Sequence, residues 1–209
     1  MTAELSLRHL TSAIRAQDTA HFKFLLTPLH RNYYLRTIWS QIQDGTFYFH
    51  GFKRKTIRSF TAYRTQKLGD ELLLRCLSDS LRRRYRIKQG DRSSIVQQVK
   101  HLIAESSPKY ILRLDLASFY ESVDMNSLLA KLKADGIVPY RTLLYITRFF
   151  ETLSLQKIVG LPRGLSISAV LSEIYLREMD KTFHELENVY YYARYVDDLI
   201  FFSTTKTPN

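Results

Sequence analysis

Two adjacent carboxylates interrupt a stretch that otherwise reads as strand, Val189-Tyr-Tyr-Tyr-Ala-Arg-Tyr-Val-Asp-Asp-Leu-Ile-Phe-Phe-Ser203. Aromatic and β-branched residues run up to Asp197-Asp198 and resume directly after them, which predicts two strands joined by a tight turn. The turn holds neither Gly nor Asn, the residues favoured when turn chemistry alone decides. Like charges side by side repel unless a cation lies between them, and a divalent metal is the usual remedy. The plain alternative is a solvated turn with both acids in water.

A second acid sits in a second apolar strand. In Tyr110-Ile-Leu-Arg-Leu-Asp-Leu116, Leu112, Leu114 and Leu116 share one face, and Arg113 and Asp115 share the other. Asp115 therefore needs a partner, either Arg113 or a metal. A third feature is the loop Gly160-Leu-Pro-Arg-Gly164, which opens a Ser-bearing helix expected from Ser166 to about Leu186.

The 209 residues suffice for one sizeable core or two small lobes. A hydrophobic fraction of 45% excludes a disordered chain. The net charge of +11 suggests a polyanionic partner, most simply nucleic acid, with a merely basic soluble protein as the alternative. The single cysteine, Cys76, lies in a leucine-rich stretch and reads as a buried thiol; no Cys/His zinc pattern exists. No apolar run reaches the ~18 residues of a membrane span and no signal peptide is evident, so a reducing, cytoplasmic location is expected.

Helical spacing predicts helices over 3–18, 69–86, 92–105, 125–134 (capped by Asp124, stopped by Gly136), and from Pro139 to about Leu155. Between 19 and 68, Trp39, Phe47, Tyr48, Phe49 and Phe52 interleave with Arg31, Arg36, Lys53, Arg54, Lys55, Arg58 and Arg64. That mixture suits either a surface that stacks bases and neutralises phosphates or a small β-rich lobe with solvated cations. Arg82-Arg83-Arg84 at a helix end complements the helix dipole.

Carboxylates on neighbouring strands suit nucleotidyl transfer, which needs acids to hold two Mg²⁺ ions ~3.5–4 Å apart. In this context the chain resembles the reverse transcriptases. Leu114-Asp-Leu-Ala-Ser-Phe-Tyr120 is similar to the family's first catalytic motif. Gly160-Leu-Pro-Arg-Gly-Leu-Ser-Ile-Ser168, continued by Leu171-Ser-Glu-Ile-Tyr-Leu176, is similar to its nucleotide-pocket motif. Tyr195-Val-Asp-Asp198 is similar to the Tyr-x-Asp-Asp signature. The resemblance covers residues 60–203. Ser118-Phe-Tyr-Glu-Ser-Val-Asp124 with Gly-Leu-Pro-Arg-Gly looks most like bacterial phage-defence and abortive-infection enzymes, with retron and group II intron enzymes next.

The resemblance implies an α+β fold of right-hand fingers and palm, the antiparallel palm sheet backed by helices. It divides the chain into an N-terminal helical and basic region (1–60), fingers (61–109) and palm (110–209). Such enzymes continue after the signature with more palm and a thumb, and the sequence to Asn209 supplies neither, so an inactive fragment is one expectation. The implied cofactor is two Mg²⁺ ions, with Mn²⁺ as a substitute, held by Asp115, Asp197, Asp198 and the carbonyl of Leu116. Tyr120 falls at the sugar-discriminating position, where a bulky ring leaves no room for a ribose 2′-hydroxyl. Gly160, Pro162, Arg163 and Gly164 would border the nucleotide, with Lys67, Arg75 and Arg92 as candidates for its triphosphate. Arg163 departs from the Gln of many members, and its fork could take a triphosphate bidentately. Implied partners are an RNA template, a DNA primer and product, and dNTPs, with a structured non-coding RNA, a partner protein or an oligomer as further options. Rival readings are a polymerase-like binding module, untemplated or protein-primed DNA synthesis, and an RNA-dependent RNA polymerase, against which Tyr120 speaks.

Overall fold

A computed structural model describes residues 5–57, 60–88 and 90–206. Arg58 and residues 3–4 of the first expected helix lie outside them. That helix is two: α1 (Leu7–Ser12) and α2 (Ala16–His21). The break has a local cause. The Arg15 backbone N–H donates to the Asp18 carboxylate (2.7 Å), which restarts the helix at residue 16.

A 3₁₀ turn (Lys23–Leu26) leads into α3 (Pro28–Gln43), a helix that the mixed aromatic and basic composition of this region hid. Pro28 occupies its first turn, where a missing N–H costs nothing, and Leu35, Ile38 and Ile42 form its buried stripe. Phe47, Phe49 and Phe52 are buried, not surface platforms for bases: they meet one another and Phe149 at centroid distances of 5.5–6.3 Å. Tyr48 alone of this group faces solvent, with the Arg148 guanidinium 4.3 Å over its ring.

The centre of the molecule is α4 (Leu68–Arg84). Leu72, Leu73, Leu74, Cys76, Leu77 and Leu81 are fully enclosed, so the helix is buried on nearly every side. Burial pushes the Cys76 thiol up to about 12, which makes it an inert packing residue. Asp70 and Glu71 in the first turn and Arg82, Arg83 and Arg84 in the last complement the helix dipole. Helix α5 (Arg92–Ala104) follows, capped by the Asp91 carboxylate on the Ser93 N–H. After a strand come α6 (Phe119–Ser122), α7 (Met125–Ala134), α8 (Tyr140–Leu155) and α9 (Ser168–His184). Asp124 caps α7, and Gly136 follows its end at φ +64°.

Strands β1 (Phe52–Ile57) and β2 (Phe60–Thr65) form an antiparallel ribbon across the boundary expected at residue 60. Its root is fastened to the end of α8. The Phe52 N–H donates to Gln156 Oε1 (2.7 Å), and Gln156 Nε2 donates back to the Phe52 carbonyl (3.4 Å). The second sheet is three-stranded and antiparallel in the order β3 (Tyr110–Asp115), β5 (Asp198–Ser203), β4 (Val189–Tyr195). One face packs on α9, where Tyr192, Leu199 and Phe201 bury against Met179, Phe183 and Leu186. Over the other face stands α5, joined through Tyr191 Oη to Gln98 (3.0 Å). Ile95, Val99, Ala193 and Ile200 line the groove between them.

Candidate active site

The register of the sheet fixes where the acids meet. Asp115 is the direct partner of Asp198, and Asp198 is the direct partner of Tyr195, so the three form a row across one end of the sheet. Asp197 lies in the turn itself, its carbonyl accepting from the Leu116 N–H (3.0 Å). The turn is strained. Val196 has φ +59°, a left-handed conformation that a β-branched residue resists at about 1–3 kcal/mol.

Asp115 does not pair with Arg113. Arg113 reaches diagonally to Asp198 Oδ1 (2.8 Å). The pair is solvent-exposed, and the hydrogen bond to Asp198, followed by its charge, raises the Arg113 pKa. The donors at this end of the sheet, carboxylate and carbonyl oxygens, suit a hard divalent cation. Among the described residues no three acids converge as a ready ligand cluster, with Asp198 turned toward Arg113.

In front of the turn is a cleft of ≈ 480 Å³. Its lining includes Tyr195, Asp197 and Asp198 from the hairpin, Tyr120, Arg163 and Gly164, and Arg92 and Phe60. The Arg163 guanidinium lies 4.9 Å over the Tyr120 ring and forks onto Glu121, with Nε at 2.9 Å and Nη2 at 3.2 Å. The Glu121 hydrogen bond raises the pKa of Arg163, with a smaller contribution from Asp197, and Arg163 in turn holds Glu121 below its ordinary range.

The 160–164 loop is shaped by two close backbone approaches. Gly160, at φ +68°, sits against the carbonyls of Tyr120 and Glu121, and the Leu161 N–H donates to the Tyr120 carbonyl (2.7 Å). Gly164, at φ +93°, lies against the Tyr63 carbonyl, while the Tyr63 N–H donates to the Arg163 carbonyl (2.7 Å). Ser168 Oγ donates to the Pro162 carbonyl (2.7 Å), fastening the loop to α9.

Of the residues singled out in the sequence, Tyr120, Arg163, Gly164, Arg92, Asp197 and Asp198 border the cleft. Asp115 and Leu116 adjoin it through the sheet, and Gly160 and Pro162 shape it from behind. Lys67 precedes α4 and is not part of the lining. Arg75 is buried and outside the lining: it grips Asp18 and Glu71 and donates to the Ala13 carbonyl.

Sequence reasoning overlooked Glu121, Phe60 and Arg194. Arg194 points to the opposite face from Asp198 and reaches Glu173 and Asp180 on α9 and the Val196 carbonyl. Burial alone would lower its pKa, but the two carboxylates more than reverse this and raise it. The available signal was an arginine inside an apolar strand, which demands buried partners.

No helix among the described residues is long and apolar enough to cross a membrane. No curated protein matches the chain. Residues 54–208 match the family described as Reverse transcriptase (RNA-dependent DNA polymerase), a span that takes in the acids, the 160–164 loop and all of the ribbon but Phe52 and Lys53. The chain belongs to the reverse transcriptase family, nucleotidyltransferases that make DNA on an RNA template.

Proposed function

We propose that this chain extends a primer 3′-hydroxyl with deoxynucleotides at the cleft in front of Asp197, using Asp115, Asp197 and Asp198 as its catalytic acids. The single observation that carries the reading is the row Asp115–Asp198–Tyr195, closed by Asp197 in the turn and opening onto a cleft walled by Tyr120 and Arg163. In the reaction the primer 3′-oxygen bonds to the α-phosphorus of a dNTP, and the bond to pyrophosphate breaks. Two Mg²⁺ ions, or Mn²⁺ in their place, would activate the 3′-oxygen and offset charge on the triphosphate and the departing pyrophosphate.

The chain's own groups divide the remaining work. Asp115 and Asp197, with the Leu116 carbonyl, would hold the cations, and Asp198 would join them on release from Arg113. Tyr120 lies under the sugar and rejects a 2′-hydroxyl by bulk. Its ring is held between Phe119, at 5.5 Å, and Arg163. Arg163 and Arg92 flank the triphosphate. Residues 110 onward act as palm, and the ribbon with α4 and α5 as fingers. The motif style of Ser118–Asp124 and Gly160–Gly164 supports a place in bacterial antiviral defence, where the template is a cellular or structured RNA.

The test is incorporation of labelled dNTPs with Mg²⁺, with and without RNA, beside Asp197→Ala. Losing a cation ligand removes several kcal/mol of charge stabilisation, so incorporation falls by about 10²–10³-fold or more. Undiminished incorporation by Asp197→Ala overturns the assignment. Loss of wild-type incorporation on removing RNA separates templated from untemplated synthesis.

A further inference from the structure

We propose that Arg194 is a positioning residue: with Glu173 and Asp180 it clamps the Tyr195–Asp198 turn to α9 and so sets where the Asp197 carboxylate points. The inference rests on the reading of Asp197 as a cation-holding acid. The guanidinium has five N–H donors, and all five are used. Nε and Nη2 fork onto Asp180 at 2.8 and 2.7 Å, and Nη2 and Nη1 fork onto Glu173 at 2.6 and 3.1 Å. The remaining Nη1 donor goes to the Val196 carbonyl at 2.9 Å. Tyr192 Oη adds a further bond to Asp180 (2.6 Å).

A brace for the fold alone does not call for this arrangement. The neighbouring β5 positions facing α9, Leu199 and Phe201, pack by apolar contact. A buried charge cluster costs desolvation that an apolar side chain avoids. What the cluster adds is direction. Glu173 and Asp180, two helical turns apart, fix the guanidinium from both sides, and its last donor fixes the carbonyl of the one strained residue in the turn. From the opposite strand the Leu116 N–H holds the next carbonyl, that of Asp197. The peptide between Val196 and Asp197 is thus held from α9 and the following one from β3. With the first hold released, Val196 can relax from its left-handed conformation and carry Asp197 with it.

The test uses the full chain and two readouts: Tb³⁺ luminescence sensitised by the nearby tyrosines, as a probe of cation binding at the acids, and steady-state dNTP incorporation. Arg194→Met alone leaves two half-buried carboxylates unpaired and risks destabilising the fold, so the principal variant is the neutral triple Arg194→Met/Glu173→Gln/Asp180→Asn. The companion is Arg194→Lys, which keeps the charge but cannot fork onto both acids and reach the carbonyl. The triple variant is expected to melt near the wild type while Tb³⁺ affinity and kcat fall by about 10–100-fold, the range for groups that orient metal ligands, with KM for dNTP nearly unchanged. Arg194→Lys moves the same way by less. Adding Val196→Gly, which removes the cost of the left-handed φ, restores part of the Tb³⁺ affinity, as a general loss of stability would not. Wild-type Tb³⁺ affinity and kcat in folded Arg194→Lys or in the triple variant overturns the clamp. The underlying reading is checked separately by Asp197→Ala. If that variant loses Tb³⁺ binding while the clamp variants keep it, only the clamp falls; if it binds as the wild type does, both fall.

Discussion

Replacing Gly160 by alanine tests how tightly the 160–164 loop is pressed on the segment that carries Tyr120. A Cβ at this position would sit 2.3 Å from the Tyr120 carbonyl oxygen and 2.6 Å from that of Glu121, roughly an ångström short of ordinary contact. Both obstacles are backbone, so no side-chain rotation relieves them. The left-handed φ adds about 1–2 kcal/mol, the forced shift about 1–3, and the strained Leu161–Tyr120 hydrogen bond about 1. The stiffer unfolded chain returns about 0.4–1 kcal/mol. The net loss is about 2–5 kcal/mol, or about 4–20 °C in Tm for a chain of this size. Gly45 is the matched control: its φ is +67°, but a Cβ there meets nothing within 4 Å, so Gly45→Ala carries only the backbone cost. Thermal and urea denaturation of the two variants, compared with the wild type, isolates the steric part. Equal destabilisation by both, or a Tm for Gly160→Ala within about 2 °C of wild type, refutes the close-approach argument.

Arg75→Met strands Asp18 and is expected to cost about 3–5 kcal/mol in urea unfolding, with KM for dNTP unaltered; a raised KM at full stability would restore Arg75 to the nucleotide site. For Asp18, hydrogen bonds from Arg75 and the Arg15 backbone outweigh the upward push of burial and hold its pKa below 3.8. The unfolded chain therefore takes up the proton first, and the stability this carboxylate supplies is present above that pH and lost as pH falls through the folded value. The stability gap between wild type and Asp18→Asn narrows on acidification, and a pH-independent gap contradicts the assignment. Tyr120→Ala should raise ribonucleotide incorporation relative to deoxynucleotide by about 10–100-fold, the range one steric contact commands; unchanged sugar selectivity in competition assays removes the gate.

Legibility in the sequence followed locality. The helices α4, α5, α7, α8 and α9 and the strands β3, β4 and β5 announced themselves by period, and Asp91, Asp124 and Gly136 marked ends that capping chemistry dictates. The alignment of Asp115 with Asp198 was foreseeable only as two acids in neighbouring strands, because register is set by packing against α9. Helix α3 was missed because its buried stripe of Leu35, Ile38 and Ile42 is set among exposed aromatic and basic residues, although Pro28 was a usable start signal. Phe47, Phe49 and Phe52 looked like a stacking surface because composition does not say which way a ring faces. Arg75 and Arg194 were misjudged or overlooked for one reason: an arginine's role depends on partners such as Asp18, 57 residues away, or Glu173, 21 residues away, that spacing does not reveal.

The β1–β2 ribbon is anchored at its root by Gln156 and at mid-length by the Tyr63–Arg163 bond. Two anchorages turn a swinging arm into a beam supported at two points. Any push that moves Tyr63 is delivered to Arg163 and through its guanidinium to the ring of Tyr120. A strand of nucleic acid resting on the basic ribbon would load that beam from outside, and the load would arrive as pressure on the ring of Tyr120.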